Sequence, residues 1–181
     1  MDLTGKVAIV TGGARDIGKH VTLKLAGAGA SVAFNYYGSA DEARATEAEV
    51  KAMGGKIVAL QGDMTRQEDV DALVARALSE FGGSIDILVN VSGGLIARKT
   101  LAEMDVDFFK RVIDLNLTST FLTTQACVPH MASGSAIVNL ASQAGRDGGG
   151  PGASAYASGK GAVMTFTRAM AKELGPKNIR V

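Results

Sequence analysis

Short β-branched runs alternate with longer stretches whose apolar residues recur every three or four positions, and this alternation leaves few folds open to the chain. The runs "KVAIVT" (6–11), "ASVAFNY" (30–36), "GKIVAL" (55–60), "IDILVNV" (85–91) and "SAIVNLA" (135–141) read as strands buried on both faces, as a parallel sheet requires. Between them the spacing predicts helices over about 17–28, 40–53, 67–81, 105–131 and 154–174. Strand, helix, strand at this rhythm predicts right-handed crossovers and a doubly wound parallel α/β sheet. No linker or long-period repeat interrupts it, and 181 residues with 46% hydrophobic side chains suffice for one core, so a single domain over 1–181 is expected.

Charge and cysteine content exclude several function classes. The formal charge is +1, with Lys, Arg, Asp and Glu interspersed, so there is no basic stripe of the kind that binds nucleic acid. The one cysteine, Cys127, lies in the apolar run "TTQACVPHM" and reads as a buried filler in a reducing compartment. Met1 is followed at once by Asp2 and a short strand pattern, without a basic start or long apolar run, so neither a signal peptide nor a membrane span is expected. The expected setting is the cytoplasm. A small neutral or anionic ligand is the expected partner, with no metal.

The first strand runs into "TGGARDIG" (11–18) and then into a helical pattern, the context a dinucleotide site needs. Glycines such as Gly12 and Gly18 let the backbone approach a pyrophosphate, and free amides at a helix start favour its charge. Arg15 and Ile17 belong to the same turn. The second strand ends "FNYYGSADEA", where sites for NAD usually carry an acidic residue against the adenosine ribose. Here Asn35, Tyr36 and Ser39 are neutral donors, and Arg15 adds charge, which favours NADP(H) over NAD(H). The competing reading makes Arg15 a solvated turn residue and 35–39 a loop with a helix cap.

In "SAYASGK" Tyr156 stands four residues before Lys160, one face of a helix apart by one turn. A free tyrosine hydroxyl loses its proton only near pH ~10, so a positive neighbour is needed to make it a proton donor and acceptor near neutrality. Ser142 follows the strand "SAIVNLA" and emerges at the carboxyl edge where open α/β sheets bind ligands. Serine and tyrosine hydroxyls converging on one carbonyl oxygen bind and protonate it as hydride arrives from a nicotinamide. Ser142 alone reads equally as a cap or turn residue.

With these residues in place, the chain resembles the short-chain dehydrogenase/reductase family over nearly its whole length. The resemblance rests on "TGGARDIG", "GDM" (62–64), "NVSGG" (90–94), "DLNL" (114–117), "LASQAG" (140–145) and "YASGK" (156–160), in this order. It implies a Rossmann-type dinucleotide-binding and catalytic domain interconverting a carbonyl and a secondary alcohol, with Tyr156 as general acid and base. It implies that Asp63 contacts the adenine, that Met64, Asn90, Gly93 and Tyr156 also belong to the cofactor-binding set, with Asn90 and Gly93 helping to hold the cofactor beside the fourth strand, and that Lys160 bonds the nicotinamide ribose. It also implies a catalytic set of Asn116, Ser142, Tyr156 and Lys160, with Asn116 supporting a water that links Lys160 to solvent. Without the resemblance Asn116 reads as a helix-interior polar residue.

Three departures from the family pattern stand out. Asp16 occupies a position usually held by glycine, and Asn90, Val91, Ser92, Gly93 stand where Asn-Asn-Ala-Gly is usual. Aspartate tolerates left-handed backbone, so Asp16 is expected to keep the turn and cap the helix with its carboxylate turned away from the pyrophosphate, pairing with Arg15. The third is the ending: relatives continue past "NIRV" through a substrate loop, a mobile helix and a final strand, so the expectation is a chain truncated at its C-terminus. A nucleotide-binding module without turnover is the alternative function. The resemblance implies a homodimer or homotetramer built on the helices near 105–131 and 154–174; Phe108, Val112, Leu122, Phe166 and Met170 there pack either internally or across a two-fold axis.

Overall fold

A computed structural model describes residues 2–181, and the reading of Met1 lies outside them. Five strands form one parallel sheet in the order β3-β2-β1-β4-β5: β1 (Val7–Thr11), β2 (Ser31–Tyr36), β3 (Ile57–Gln61), β4 (Ile87–Asn90) and β5 (Ala136–Asn139). The helices are α1 (Asp16–Gly27), α2 (Ala40–Ala52), α3 (Gln67–Phe81), α4 (Val106–Ile113), α5 (Ser119–Cys127), α6 (Ala144–Asp147) and α7 (Ser154–Leu174). The chain moves outward from β1 to β3 and then returns to lay β4 on the other side of β1. The connections leaving β1 and β4 run to opposite faces, which opens a crevice at their carboxyl ends.

Alternation along the strands divides the core into two layers. Ile9, Leu88 and Ile137 point to the face covered by α3, α5 and α7, where Leu73, Cys127 and Leu174 join them. Val10, Val32 and Phe34 point to the opposite face, against Ala26 of α1 and Val50 of α2. Helix α3 shows how the pattern becomes a contact: Val70, Leu73, Val74 and Ala77 recur at three and four positions and all are buried.

Two expectations need correction. The strands are not all buried on both faces, because Val138 of β5 is 54% exposed. On its face α1 and α2 lie over β1, β2 and β3, whereas α7, the helix that packs on β5, lies on the opposite face with Ile137. Beside β5 the "NIRV" segment begins to pair: Arg180 bridges Ala136 in parallel, with the Ile137 amide donating to its carbonyl at 2.7 Å. The expected helix over 105–131 is continuous but not uniform, since a π-helical turn over Asp114–Thr118 separates α4 from α5 and contains Asn116. The apolar residues left open between internal and two-fold packing also divide. Phe108 and Val112 are buried with Ala155, while Leu122 and Met170 pack on the first core layer. Phe166 meets Phe121 edge to face at 6.3 Å, and Val106, Phe109 and Phe121 are the exposed apolar side chains of α4 and α5.

Candidate active site

A cleft of about 950 Å³ opens at the carboxyl ends of the strands, within the range of small-molecule and cofactor sites. Its first wall is the glycine turn. Gly12 has φ +64°, and a Cβ on Gly18 would stand 1.9 Å from the Gly12 carbonyl oxygen, so the helix start lies against the turn as only glycine permits. The Gly12 amide donates to Asn35 Oδ1 at 2.8 Å, and Asn35 Nδ2 donates to the Gly62 carbonyl at 3.0 Å. Asn35 is buried and ties the ends of β1, β2 and β3 together. This corrects its reading as a free donor for a 2′-phosphate: both ends of its amide are engaged by the backbone.

Asp16 takes the left-handed conformation expected of it, with φ +49°, and its Oδ2 lies 3.4 Å from Arg15 Nη1. It does not cap the helix. The capping position belongs to Arg15, no side chain bonds the free amides there, and the Asp16 carboxylate projects into solvent one residue too late to reach them. Both partners of the pair are well exposed, so the Arg15 guanidinium is held only weakly.

Arg15, Ile17, Tyr36 and Ser39 line the cleft together. Ser39 precedes α2 but its hydroxyl makes no capping bond, which removes the cap from the competing reading of this segment. Asp63 is fixed by its neighbours: Oδ1 accepts from the Thr65 amide and hydroxyl at 2.9 and 2.8 Å, and its own amide donates to Asp69. Met64 is buried beside it and forms part of the same wall.

The opposite wall carries Ser142, Tyr156 and Lys160. Tyr156 and Lys160 sit on the first turns of α7, and α6 presses against them so closely that a Cβ on Gly145 would be 2.7 Å from the Lys160 carbonyl carbon. Lys160 is buried, and its Nζ donates to the Leu140 carbonyl at 2.7 Å. With no carboxylate partner among the described residues, burial pushes its ammonium down to about 8. The Ser142 hydroxyl oxygen accepts from the Ala144 amide at 3.2 Å, which orients its own proton elsewhere.

Asn90 and Asn116 stand behind the cleft rather than in its lining. Asn90 directs its amide into α5 and β5, with Nδ2 donating to Asn139 at 2.8 Å and Oδ1 accepting from Thr123 at 2.6 Å. Asn116 Nδ2 donates to the carbonyls of Gly94 and Val112, and its Oδ1 accepts from the Gly94 amide. Gly93 fits between these parts: a Cβ there would be 2.7 Å from Asn116 Oδ1 and 2.9 Å from Lys160 Nζ. The sequence reading missed Tyr37, Ser92, Ile96 and Arg111 in the lining. Tyr37 directly follows β2 and Ser92 stands two residues past β4, positions that signal a rim residue; Ile96, at φ +61°, carries no such signal.

Among the described residues no helix is long and apolar enough to cross a membrane, and no group of three His, Cys, Asp or Glu side chains is placed to hold a metal ion. Residues 6–181 match the short chain dehydrogenase family. The chain is 41% identical to a 3-oxoacyl-[acyl-carrier-protein] reductase of Synechocystis sp., over 99% of this chain and 72% of that protein. Among solved structures it resembles a short chain dehydrogenase from Burkholderia cenocepacia J2315 in complex with NADP, with a TM-score of 0.95 and 34% identity over 100% of this chain and 73% of that one. It also resembles an NADH-dependent reductase, A1-R′, complexed with NAD, with a TM-score of 0.92 and 31% identity over 98% and 76% of the two chains. The chain therefore belongs to the short-chain dehydrogenase/reductase family of NAD(P)-dependent oxidoreductases, which interconvert carbonyls and alcohols.

Proposed function

We propose that this chain prefers NADP(H) and that Tyr156 exchanges the proton with the substrate oxygen. The observation that carries this reading is the single cleft in which the glycine turn faces Ser142, Tyr156 and Lys160. The residues fit a dinucleotide: Gly12 and Gly18 leave the turn bare of side chains, and Asp63 keeps one carboxylate oxygen without a protein partner among the described residues. A bound nicotinamide supplies or accepts the hydride. Ser142 donates its hydroxyl proton to the carbonyl oxygen in a hydrogen bond, and Tyr156 delivers the transferred proton in reduction or removes it in oxidation. Lys160, one turn away on α7, brings positive charge that stabilises the phenolate. Asn116 holds the 93–94 segment against Lys160, and in this scheme a water supported there returns protons from solvent.

The NADP(H) preference rests on the end of β2, which has no carboxylate, on the uncapping Ser39 hydroxyl and on the weakly held Arg15. Solved relatives include one with NADP and one with NAD, so this local chemistry decides the reading. Residues 1–181 act in it as one dinucleotide-binding and catalytic domain. Only His130 is basic in the segment leading into β5, so we place the substrate among free small ketones, aldehydes or sugar-like alcohols, unlike the acyl-carrier substrate named for the Synechocystis relative. Exposed Val106, Phe109 and Phe121 support a homodimer or homotetramer through α4, α5 and α7, and a lone buried thiol at Cys127 suits a reducing setting such as the cytoplasm.

Calorimetric titration with NADPH and NADH tests the reading. NADPH is expected to bind about tenfold or more tightly, and Arg15→Ala to remove most of that difference. Equal affinities in the wild type would refute the preference, and binding of neither would refute the site.

A further inference from the structure

The two departures at 91 and 92 have different structural consequences. Val91 packs on the second core layer. Ser92 turns toward the cleft, where it lines the wall facing the glycine turn. Its position is fixed by the backbone, because the amides of Val91 and Ser92 both donate to Thr11 Oγ1 at 3.0 Å. Its hydroxyl stands directly over the first glycine: a Cβ built on Gly12 would lie 3.4 Å from Ser92 Oγ. The Thr11 and Ser142 hydroxyls accept from backbone amides, whereas the half-buried Ser92 hydroxyl has no hydrogen-bond partner among the described residues. A hydroxyl is both donor and acceptor, and at this place it faces the bare glycine surface that a phosphate or ribose group would approach.

We propose that Ser92 is a cofactor-binding residue whose hydroxyl hydrogen-bonds the ribose–diphosphate portion common to NAD(H) and NADP(H). The proposal rests on the reading of the cleft as the dinucleotide site. It separates Ser92 from Arg15 and Ser39: those serve the 2′-phosphate and discriminate between the nucleotides, whereas Ser92 serves both alike. Alanine is the residue usual in the family pattern, so Ser92→Ala removes one oxygen without adding bulk beside Gly12.

The test is calorimetric titration of wild type and Ser92→Ala with NADPH and with NADH, alongside thermal melts of the nucleotide-free proteins. The expected result is a rise of about threefold to tenfold in Kd for both nucleotides, with the melting temperature of the free protein unchanged. Affinities within twofold of wild type for both nucleotides would overturn the proposal alone, as would a loss confined to NADPH. Wild type that binds neither nucleotide would overturn the cleft assignment and this proposal with it.

Discussion

The two ends of the cleft are built on opposite electrostatic plans. At the glycine turn the fixed interactions are neutral hydrogen bonds: Asn35 joins three strand ends, Thr11 holds the segment after β4, and the only charges, Arg15 and Asp16, are in solvent. At the α7 end a single ammonium, Lys160, is buried against a neutral carbonyl. The first end is a preformed surface whose backbone is held by neutral hydrogen bonds while the Ser92 hydroxyl and one Asp63 oxygen keep no protein partner among the described residues, and its task is to bind. The second holds an uncompensated charge that favours an anion arriving nearby, which suits proton transfer. Binding and chemistry are therefore separable by mutation.

The largest separation is expected from Tyr156→Phe. Removing one oxygen from the α7 end should lower kcat by roughly 10²–10⁴-fold, while Kd for NADPH stays within about twofold because the turn is untouched. Steady-state kinetics on any accepted carbonyl compound, beside a binding titration, checks both halves. A parallel loss of binding would show that the ends are not independent.

Asn35→Ala attacks the other end. It strands the Gly12 amide and the Gly62 carbonyl, at a cost of about 2–3 kcal/mol. For a chain of this size that corresponds to a fall in melting temperature of roughly 5–10 °C. Affinity for NADPH and NADH should fall together, since the turn itself loosens. A loss confined to NADPH, with stability intact, would restore Asn35 to the role of phosphate donor.

The same contrast explains what the sequence revealed. Strand and helix positions were legible because burial imposes a period: α3 and α7 span 67–81 and 154–174 as read, and Val70, Leu73, Val74 and Ala77 face the core at the expected spacing. Periodicity reports faces and is silent on where a polar side chain finds its partner. Asn35 looked like a ligand donor and is a clasp; Ser39 looked like a possible cap and makes no capping bond. The π-helical turn at Asn116 left no mark on the apolar pattern, because one added residue per turn shifts the helix face without breaking it. Short α6 was hidden in a glycine-rich run whose composition reads as loop. Tyr156, Lys160 and Ser142 were legible for a different reason, since their chemistry and spacing carry meaning before any contact is known.

The smallest expected effect tests the buried charge directly. In the nucleotide-free protein, burial lowers the Lys160 ammonium from 10.5 to about 8. Below pH 8 the amine is protonated in both the folded and unfolded chain, so the folded state bears the full cost of burying it. Between about pH 8 and 10.5 the unfolded chain binds more protons than the folded one, and stability at this site rises with pH. Lys160→Met removes the charge and keeps the apolar stem, but it also loses the bond to the Leu140 carbonyl. The net gain at pH 7 should be about 1–2 kcal/mol, seen as a higher urea midpoint for the variant. That advantage should stay constant from pH 6 to about 7.5 and shrink toward pH 9.5. A difference independent of pH would mean that packing, and not the buried charge, separates the two proteins, and the electrostatic contrast between the ends of the cleft would then lose its basis.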